Sequence, residues 1–254
     1  MLILLTNDDG IYAPGLAAME RELEKMGDVY VVSPSTEQSG VGHAITYLSP
    51  LVVKELFEGR QRRGWAVEGS PADCVKIGIF EFCPRLPDLI VSGINSGLNA
   101  GINVLYSGTV AAAIEGAFFG ITSIAVSLEW SEHADFDRAA VLARRVIEQV
   151  LAQKGPAPQL YNMNLPTAAL AASQLNVRVV PMGVQRSGEQ YEKRIDPRGR
   201  SYFWALSSPV SATPGHETDV SALAQGAITL TPLDFDLTQH ARLAEMASWK
   251  FEFS

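Results

Sequence analysis

Two carboxylates stand side by side at Asp8 and Asp9, within Asn7-Asp8-Asp9-Gly10. Adjacent carboxylates repel unless a cation sits between or beside them, and hard divalent ions favour such oxygen ligands. Two further polar, glycine-rich stretches carry oxygens that could complete a shell. One runs from Ser33 to Gly40 and includes Ser39; the other runs from Ser92 to Asn103 and includes Asn95, Asn99 and Asn103. Asn-Asp-Asp-Gly is also good turn chemistry that needs no metal. The metal reading therefore depends on the three stretches meeting in space.

Another candidate is Tyr106-Ser107-Gly108-Thr109, which leads into a run of small residues. At a helix start, free backbone amides and the Ser107 and Thr109 hydroxyls make an anion site. The same residues also make an ordinary helix cap. Asn95, Asn99 and Asn103 recur every four residues, but Gly97 and Gly101 favour a loop over a helix. Such a loop either presents amides to phosphate or metal, or uses its asparagines for turns.

Several familiar signatures are missing. The sequence holds no GxxxxGK[ST], no HExxH and no GxSxG, and Gly40-Val-Gly42-His43 lacks the third glycine of a dinucleotide fingerprint. His43, His133, His216 and His240 are scattered; only His43 lies near Ser39, and a structural or surface role is its simpler reading. Cys74 and Cys83 fit neither a CxxC pair nor a zinc spacing, and read as buried free thiols of a reducing compartment.

These residues need a scaffold, and the apolar pattern supplies one. Residues 2–6 form a short continuous apolar run, as in a strand buried on both faces. Residues 14–26 have helical spacing, with Leu16, Met19, Leu23 and Met26 on one side, and residues 29–33 form a second strand. Strand, helix, strand makes a βαβ unit. The alternation continues through a helix to residue 82 started by Ser70-Pro71-Ala72-Asp73, a strand at 88–91 and a helix at 108–120. A strand at 122–127, a helix at 135–154 capped by Asp135 and a strand at 160–164 follow. The pattern predicts an α/β fold: a doubly wound, mainly parallel sheet with helices on both faces. Residues 44–65 and a β-rich extension at about 177–210, with a hairpin near Asp196–Gly199, break the alternation, and 227–233 returns to core character. No internal repeat or linker divides the 254 residues, so a single domain with an extension is expected. Ligands in such sheets bind beyond the carboxyl ends of the strands, where the polar stretches fall.

Charge and hydropathy narrow the partners. Twenty Lys and Arg against 28 Asp and Glu leave a net charge of −8, which opposes general nucleic-acid binding. A local cation or helix terminus still admits a small phosphorylated ligand. The first residues are apolar for only a few positions and carry no basic flank, unlike a signal peptide. The greasiest stretch, 117–128, is interrupted by Gly120, Thr122, Ser123 and Ser127 and is too short to span a bilayer. A soluble, cytoplasmic protein without membrane contact is expected.

At these residues the chain resembles the survival protein E (SurE) family of metal-dependent nucleotidases. The matching pieces are LLTNDDGIYAPG at 4–15, SPSTEQSGVGHAIT at 33–46, GSPADCVKIG at 69–78, SGINSGLNAGINVLYSGTVAAAIEG at 92–116 and TDVSALAQGAITLTPL at 218–233. Ser70 departs from the expected threonine but keeps the hydroxyl, and 165–217 matches only loosely. The resemblance implies a Rossmann-like three-layer αβα core and one divalent cation per subunit, Mg²⁺ or Mn²⁺. It implies hydrolysis of nucleoside 5′-monophosphates, or of 3′-monophosphates, by metal-assisted attack of water. The implied metal ligands are Asp8, Asp9, Ser39 and Asn95, and the implied phosphate ligands are Asn99, Ser107, Gly108 and Thr109. Asp8, Asp9 and Asn99 would be the catalytic residues, and the assembly a homodimer or homotetramer built through C-terminal segments.

Three rival readings share part of this residue pattern. A phosphatase that forms an aspartyl-phosphate usually spaces its carboxylates as DxD, whereas these are adjacent. A receiver-like signalling domain needs an aspartate after a central strand, where this chain has Ser92-Gly93. A passive nucleotide-binding protein would share the ligand chemistry without turnover.

Overall fold

The computed structural model describes residues 1–251 except 60, 173, 185–188 and 208–215. At its centre lies β1 (Leu2–Thr6), buried along its whole length. It pairs in parallel with β2 (Asp28–Pro34) on one side and β5 (Leu89–Ser96) on the other. Beyond β2 the sheet continues through β4 (Gln61–Val67), parallel to β2, to β3 (Val53–Glu58), antiparallel at the edge. Beyond β5 it continues through β6 (Thr122–Leu128) and β7 (Leu160–Leu165), both parallel. There β11 (Ile228–Leu233) adds antiparallel to β7, and the short β8 (Val177–Val179) closes this edge. The order β3-β4-β2-β1-β5-β6-β7-β11-β8 reverses direction between β1 and β5. That reversal is the topological switch point of a doubly wound sheet.

Successive residues of a strand face opposite sides, so β1 divides its apolar residues between two layers. Ile3 and Leu5 pack in the cluster that includes Leu16 and Met19 of α1 (Pro14–Leu23) and Leu142 and Ile147 of α4 (Phe136–Gln153). Leu4 packs in the opposite cluster, with Cys74 and Val75 of α2 (Pro71–Ile77) and Ala112 of α3 (Gly108–Phe118). The result is the expected three-layer arrangement of helix, sheet and helix. Asp135 caps α4 by accepting the Arg138 amide at 2.8 Å.

The structure departs from the sequence reading in several places, and the helix expected to run to residue 82 ends at Ile77, with a wider turn over Gly78–Phe82. Helix α1 ends at Leu23 rather than Met26, because Lys25 and Met26 bond to carbonyls only three residues back and tighten the chain out of the helix. Within the stretch 44–65, which breaks the alternation, β3 and the start of β4 are strands of the main sheet itself. Strand β5 runs to Ser96 instead of stopping at Val91. A Cβ on Gly93 would lie 2.2 Å from the Val126 carbonyl oxygen, so only glycine lets the chains pass there. Pairing then resumes with Asn95 opposite Ser127.

Strands β9 (Glu189–Ile195) and β10 (Ser201–Ser207) form a separate antiparallel hairpin, turned at Asp196–Gly199 as expected. Helices α5 (Thr167–Leu170), α6 (Asp219–Ala224) and α7 (His240–Met246) were not anticipated.

Both cysteines are free thiols, Cys74 buried and Cys83 partly so. Burial pushes the Cys74 thiol well up and the Cys83 thiol to about 11. At pH 8 a thiol of that acidity is thiolate in only about one molecule in a thousand. Iodoacetamide at pH 8 is therefore expected to leave both unmodified in the native protein over a time that modifies both in denaturant, as read by mass spectrometry.

Candidate active site at the switch point

The turn after β1 is folded by Asn7. Its side chain donates to the Gly10 carbonyl at 3.0 Å and accepts the Gly10 amide at 3.2 Å, while Ser33 of β2 donates to the same Asn7 oxygen. This closed turn brings out Asp8 and Asp9 at the carboxyl end of β1. Asp8 is buried, and one of its carboxylate oxygens accepts the Thr109 hydroxyl. Asp9, half-buried, accepts the Ser96 backbone amide at 3.1 Å from the end of β5. The acidic pair is thus tied to both strands that flank the reversal, and to α3.

Helix α3 points its N-terminus at Asp8. A Cβ on Gly108 would lie 3.0 Å from the Asp8 Cβ and 3.1 Å from Pro71, so glycine is what allows this approach. Ser107 is the N-cap, and its hydroxyl oxygen accepts the Val110 amide at 3.1 Å. The cap reading of Ser107 is therefore realised, yet its hydroxyl hydrogen remains free to donate to a ligand. Thr109 turns its hydroxyl toward Asp8 rather than toward open space.

Burial raises the Asp8 carboxyl above its usual range, partly opposed by hydrogen bonds from the Thr109 hydroxyl and backbone; Glu37 adds to the rise. Burial first, and then the charge of Asp8, push Asp9 from 3.8 to about 6. Among the described residues, the charges that act on the pair are acidic: Asp8 on Asp9, and Glu37 on both. Glu37, which the sequence reading passed over, is a solvent-exposed neighbour on the loop after β2.

Ser39 lies on that same loop, is exposed, and donates its hydroxyl to Glu37 at 2.6 Å. Its lone pairs stay available as a neutral oxygen ligand. The loop is drawn to the site through the Gln38 amide, which donates to the Asp8 carbonyl at 2.8 Å. Further along, the Gly42 amide donates to the Tyr106 carbonyl at 3.0 Å, and His43 Nε2 lies 2.7 Å from the buried Glu115 carboxylate of α3. The loop ends against α2, where Asp73 accepts the Thr46 amide at 3.0 Å and its hydroxyl at 2.7 Å.

Asn95 lies in β5 and donates its side-chain amide to the Gly97 carbonyl at 2.6 Å, which leaves its oxygen available. Asn99 is buried in the loop after β5 and donates its side-chain amide to Ser127 Oγ at 2.9 Å. Asn103 is exposed in the short 3₁₀ turn Gly101–Tyr106 and joins neither group.

Among the described residues, no three His, Cys, Asp or Glu side chains are grouped to hold a metal ion. The available set is instead two carboxylates with neutral hydroxyl and amide oxygens. That chemistry fits a hard divalent cation and not a nitrogen- or sulfur-ligated one. The uncompensated negative charge of Asp8 and Asp9 points the same way. Beneath them the Thr6 and Ser92 hydroxyls, paired in register on β1 and β5, are buried without a hydrogen-bond partner among the described residues.

Fold and site together define a doubly wound α/β protein with an acidic pair at the switch point of its sheet. The family described as Survival protein SurE matches residues 3–189. A 5′-nucleotidase SurE of Rhodopirellula baltica is 57% identical over 250 residues, covering 98% of this chain and 98% of the relative. A 5′-nucleotidase SurE of Heliobacterium modesticaldum is 43% identical over 252 residues, covering 98% and 92%. Among solved structures, the SurE protein of Aquifex aeolicus superposes with a TM-score of 0.84 at 34% identity, covering 97% of this chain and 98% of that one. The chain belongs to the SurE family. Among the described residues, no helix is long and apolar enough to cross a membrane.

Proposed function

We propose that this site hydrolyses nucleoside 5′-monophosphates to nucleoside and phosphate, with a divalent cation, Mg²⁺ or Mn²⁺, held at Asp8 and Asp9. The activity is that of a 5′-nucleotidase, the activity for which the relatives are named. The observation that carries the reading is the uncompensated Asp8–Asp9 pair set against the N-terminus of α3 at the switch point.

Asn95, next to the Ser96 whose amide holds Asp9, and Ser39, next to the Gln38 whose amide holds the Asp8 carbonyl, supply neutral oxygens. A cation bound there supplies positive charge against the phosphoryl group and acidifies water. The chain's own part is positioning and hydrogen bonding, which suits a reaction with charge spread over three phosphoryl oxygens. Ser107 donates its hydroxyl hydrogen, Gly108 its backbone amide, which has no partner within the helix, and Asn99 the second hydrogen of its side-chain amide. Thr109 orients Asp8 from the same helix turn, so the carboxylate and the phosphate donors share one rigid element. Adjacent carboxylates offer no DxD pair, so water attacks phosphorus directly, the bond from phosphorus to the nucleoside oxygen breaks, and the proton given up by the water ends on that oxygen, which yields nucleoside and inorganic phosphate without a covalent intermediate.

The nucleoside half goes to an apolar groove of about 280 Å³ that begins at Ser107 and runs along α3. His43 stacks on Phe118 with ring centroids 5.5 Å apart, and Phe118 meets Phe235 edge-on at 4.6 Å. Phe118→Ala is expected to raise KM for a nucleotide about tenfold by loss of base stacking, with inhibition by inorganic phosphate unchanged. Steady-state kinetics with both ligands checks this.

A homodimer or homotetramer is supported by the exposed Tyr191, Ile195, Phe203 and Trp204 of the β9–β10 hairpin and by Leu243 and Trp249 near the C-terminus. A cytoplasmic location is supported by the free thiols.

The test is phosphate release from a panel of 5′- and 3′-nucleotides and simple phosphomonoesters, with acid quench of a single turnover. The reading expects turnover of nucleoside 5′-monophosphates and no labelled protein. A phospho-enzyme at Asp8 or Asp9 would favour the covalent phosphatase, and binding without release would favour a passive nucleotide carrier.

A further inference from the structure

The backbone around Asn99 is gripped from positions far along the chain. Its amide donates to Asn164 Oδ1 at 2.8 Å, and its carbonyl accepts Asn162 Nδ2 at 2.7 Å and Asn164 Nδ2 at 3.1 Å. Two residues on, the Gly101 amide donates to one oxygen of Asp219 at 2.8 Å. The other oxygen of that carboxylate accepts the Gly183 and Val220 amides, each at 2.8 Å. Asn162, Asn164 and Asp219 are all fully buried.

Packing alone does not call for these side chains. Asn162 and Asn164 alternate along β7 on the face shared with Leu160, where an apolar residue would bury more cheaply. Asn162 spends its donor on Asn99, yet its Oδ1 is left buried without a partner among the described residues. An orphaned polar atom costs stability, and such costs are retained where function requires the geometry. Asp219 lies in the C-terminal stretch 218–233, and 118 positions separate it from Gly101. The C-terminal segment therefore reaches back to hold the loop after β5.

We propose that Asn162, Asn164 and Asp219 are positioning residues for the reaction. They fix the loop from Gly97 to Asn103 so that the Asn99 amide stands at the phosphate, and they touch neither phosphate nor cation themselves. This inference rests on the reading of Asn99 as a phosphate ligand. Asn162 and Asn164 set the height of the Asn99 peptide above β7, and Asp219 stops the loop from swinging at Gly101. Misplacement by about an ångström is enough to cost a hundredfold in rate.

A double-mutant cycle tests it, with AMP as substrate and inorganic phosphate as inhibitor. Asn164→Ala is expected to lower kcat about a hundredfold, weaken phosphate inhibition, and leave Mn²⁺ affinity by calorimetry within about twofold of wild type. In an Asn99→Ala background the same change is expected to cost less than about threefold, since residues acting through one another do not add. Equal losses in both backgrounds, or wild-type kcat in Asn164→Ala, overturn the proposal. Asp219 holds the loop from its other end, and Asp219→Asn keeps the side-chain volume while removing one acceptor. It serves the same cycle if Asn164→Ala does not fold. Asn99→Ala with wild-type kinetics would instead remove the reading of Asn99, and with it the basis for any clamp.

Discussion

Asp8→Asn is expected to lower kcat/KM for a nucleoside monophosphate by about 10³-fold or more and to leave the melting temperature unchanged or slightly raised. The amide keeps the shape of the carboxylate, and the Thr109 hydroxyl can still donate to its oxygen. What disappears is a negative charge that burial penalises, since burial is the main cause of the raised Asp8 pKa. Removal of a penalised charge does not destabilise the fold. Activity depends on that charge to hold the cation, and the electrostatic help of a bound cation amounts to several kcal/mol. At about 1.4 kcal/mol per tenfold, that is three decades or more. Steady-state kinetics and a thermal melt on the same preparation check the two halves together. A loss of activity matched by a loss of stability would make Asp8 a structural residue.

Thr109→Val separates a helix-cap role from a site role. The cap of α3 is Ser107, so Thr109 is not needed to satisfy the helix end. Valine fills the space of threonine and removes the hydroxyl that bonds Asp8. The stability cost is expected near 1 kcal/mol, that of one hydrogen bond. The rate loss is expected on the order of a hundredfold, as for removal of a preorganised donor in an active site. Because the lost bond orients Asp8, Mn²⁺ affinity should also fall, as measured by calorimetry. A variant that melts earlier but turns over normally and binds Mn²⁺ normally would confine Thr109 to a structural role.

How much of this was legible in the sequence depended on the range of the interaction. Strand β1 was readable because four apolar residues and Thr6 run up to Asn7-Asp8-Asp9-Gly10, and α4 because its apolar stripe follows a capping aspartate. Both signals are local. The extension of β5 was hidden, since Gly93, Asn95 and Ser96 look like loop residues; their pairing depends on β6, whose Val126 passes against Gly93. Helix α6 was hidden because six residues carry no apolar stripe, although Thr218 and Ser221 do form a capping box. At the site, residue types and their placement after strands pointed to Asp8, Asp9, Asn95 and Asn99. The bond from Thr109 to Asp8 spans 101 positions, and no spacing rule reports such a contact. Glu37 was overlooked because one acid in a polar loop is ordinary; only its nearness to the pair gives it weight. Asn162 and Asn164 were read only as residues of a strand, and their partner in the loop after β5 became visible only in three dimensions.

Removal and return of the cation tests the central claim most directly. Protein stripped with a strong chelator and transferred to metal-free buffer should release no phosphate from a nucleoside 5′-monophosphate above the buffer rate. Addition of Mn²⁺ or Mg²⁺ should restore full turnover in wild type and little in Asp8→Asn. The same titration should raise the melting temperature of wild type, because a cation relieves the repulsion between Asp8 and Asp9 and binds only the folded chain. Full turnover by the exhaustively stripped protein, with no thermal shift on adding either ion, would contradict the account.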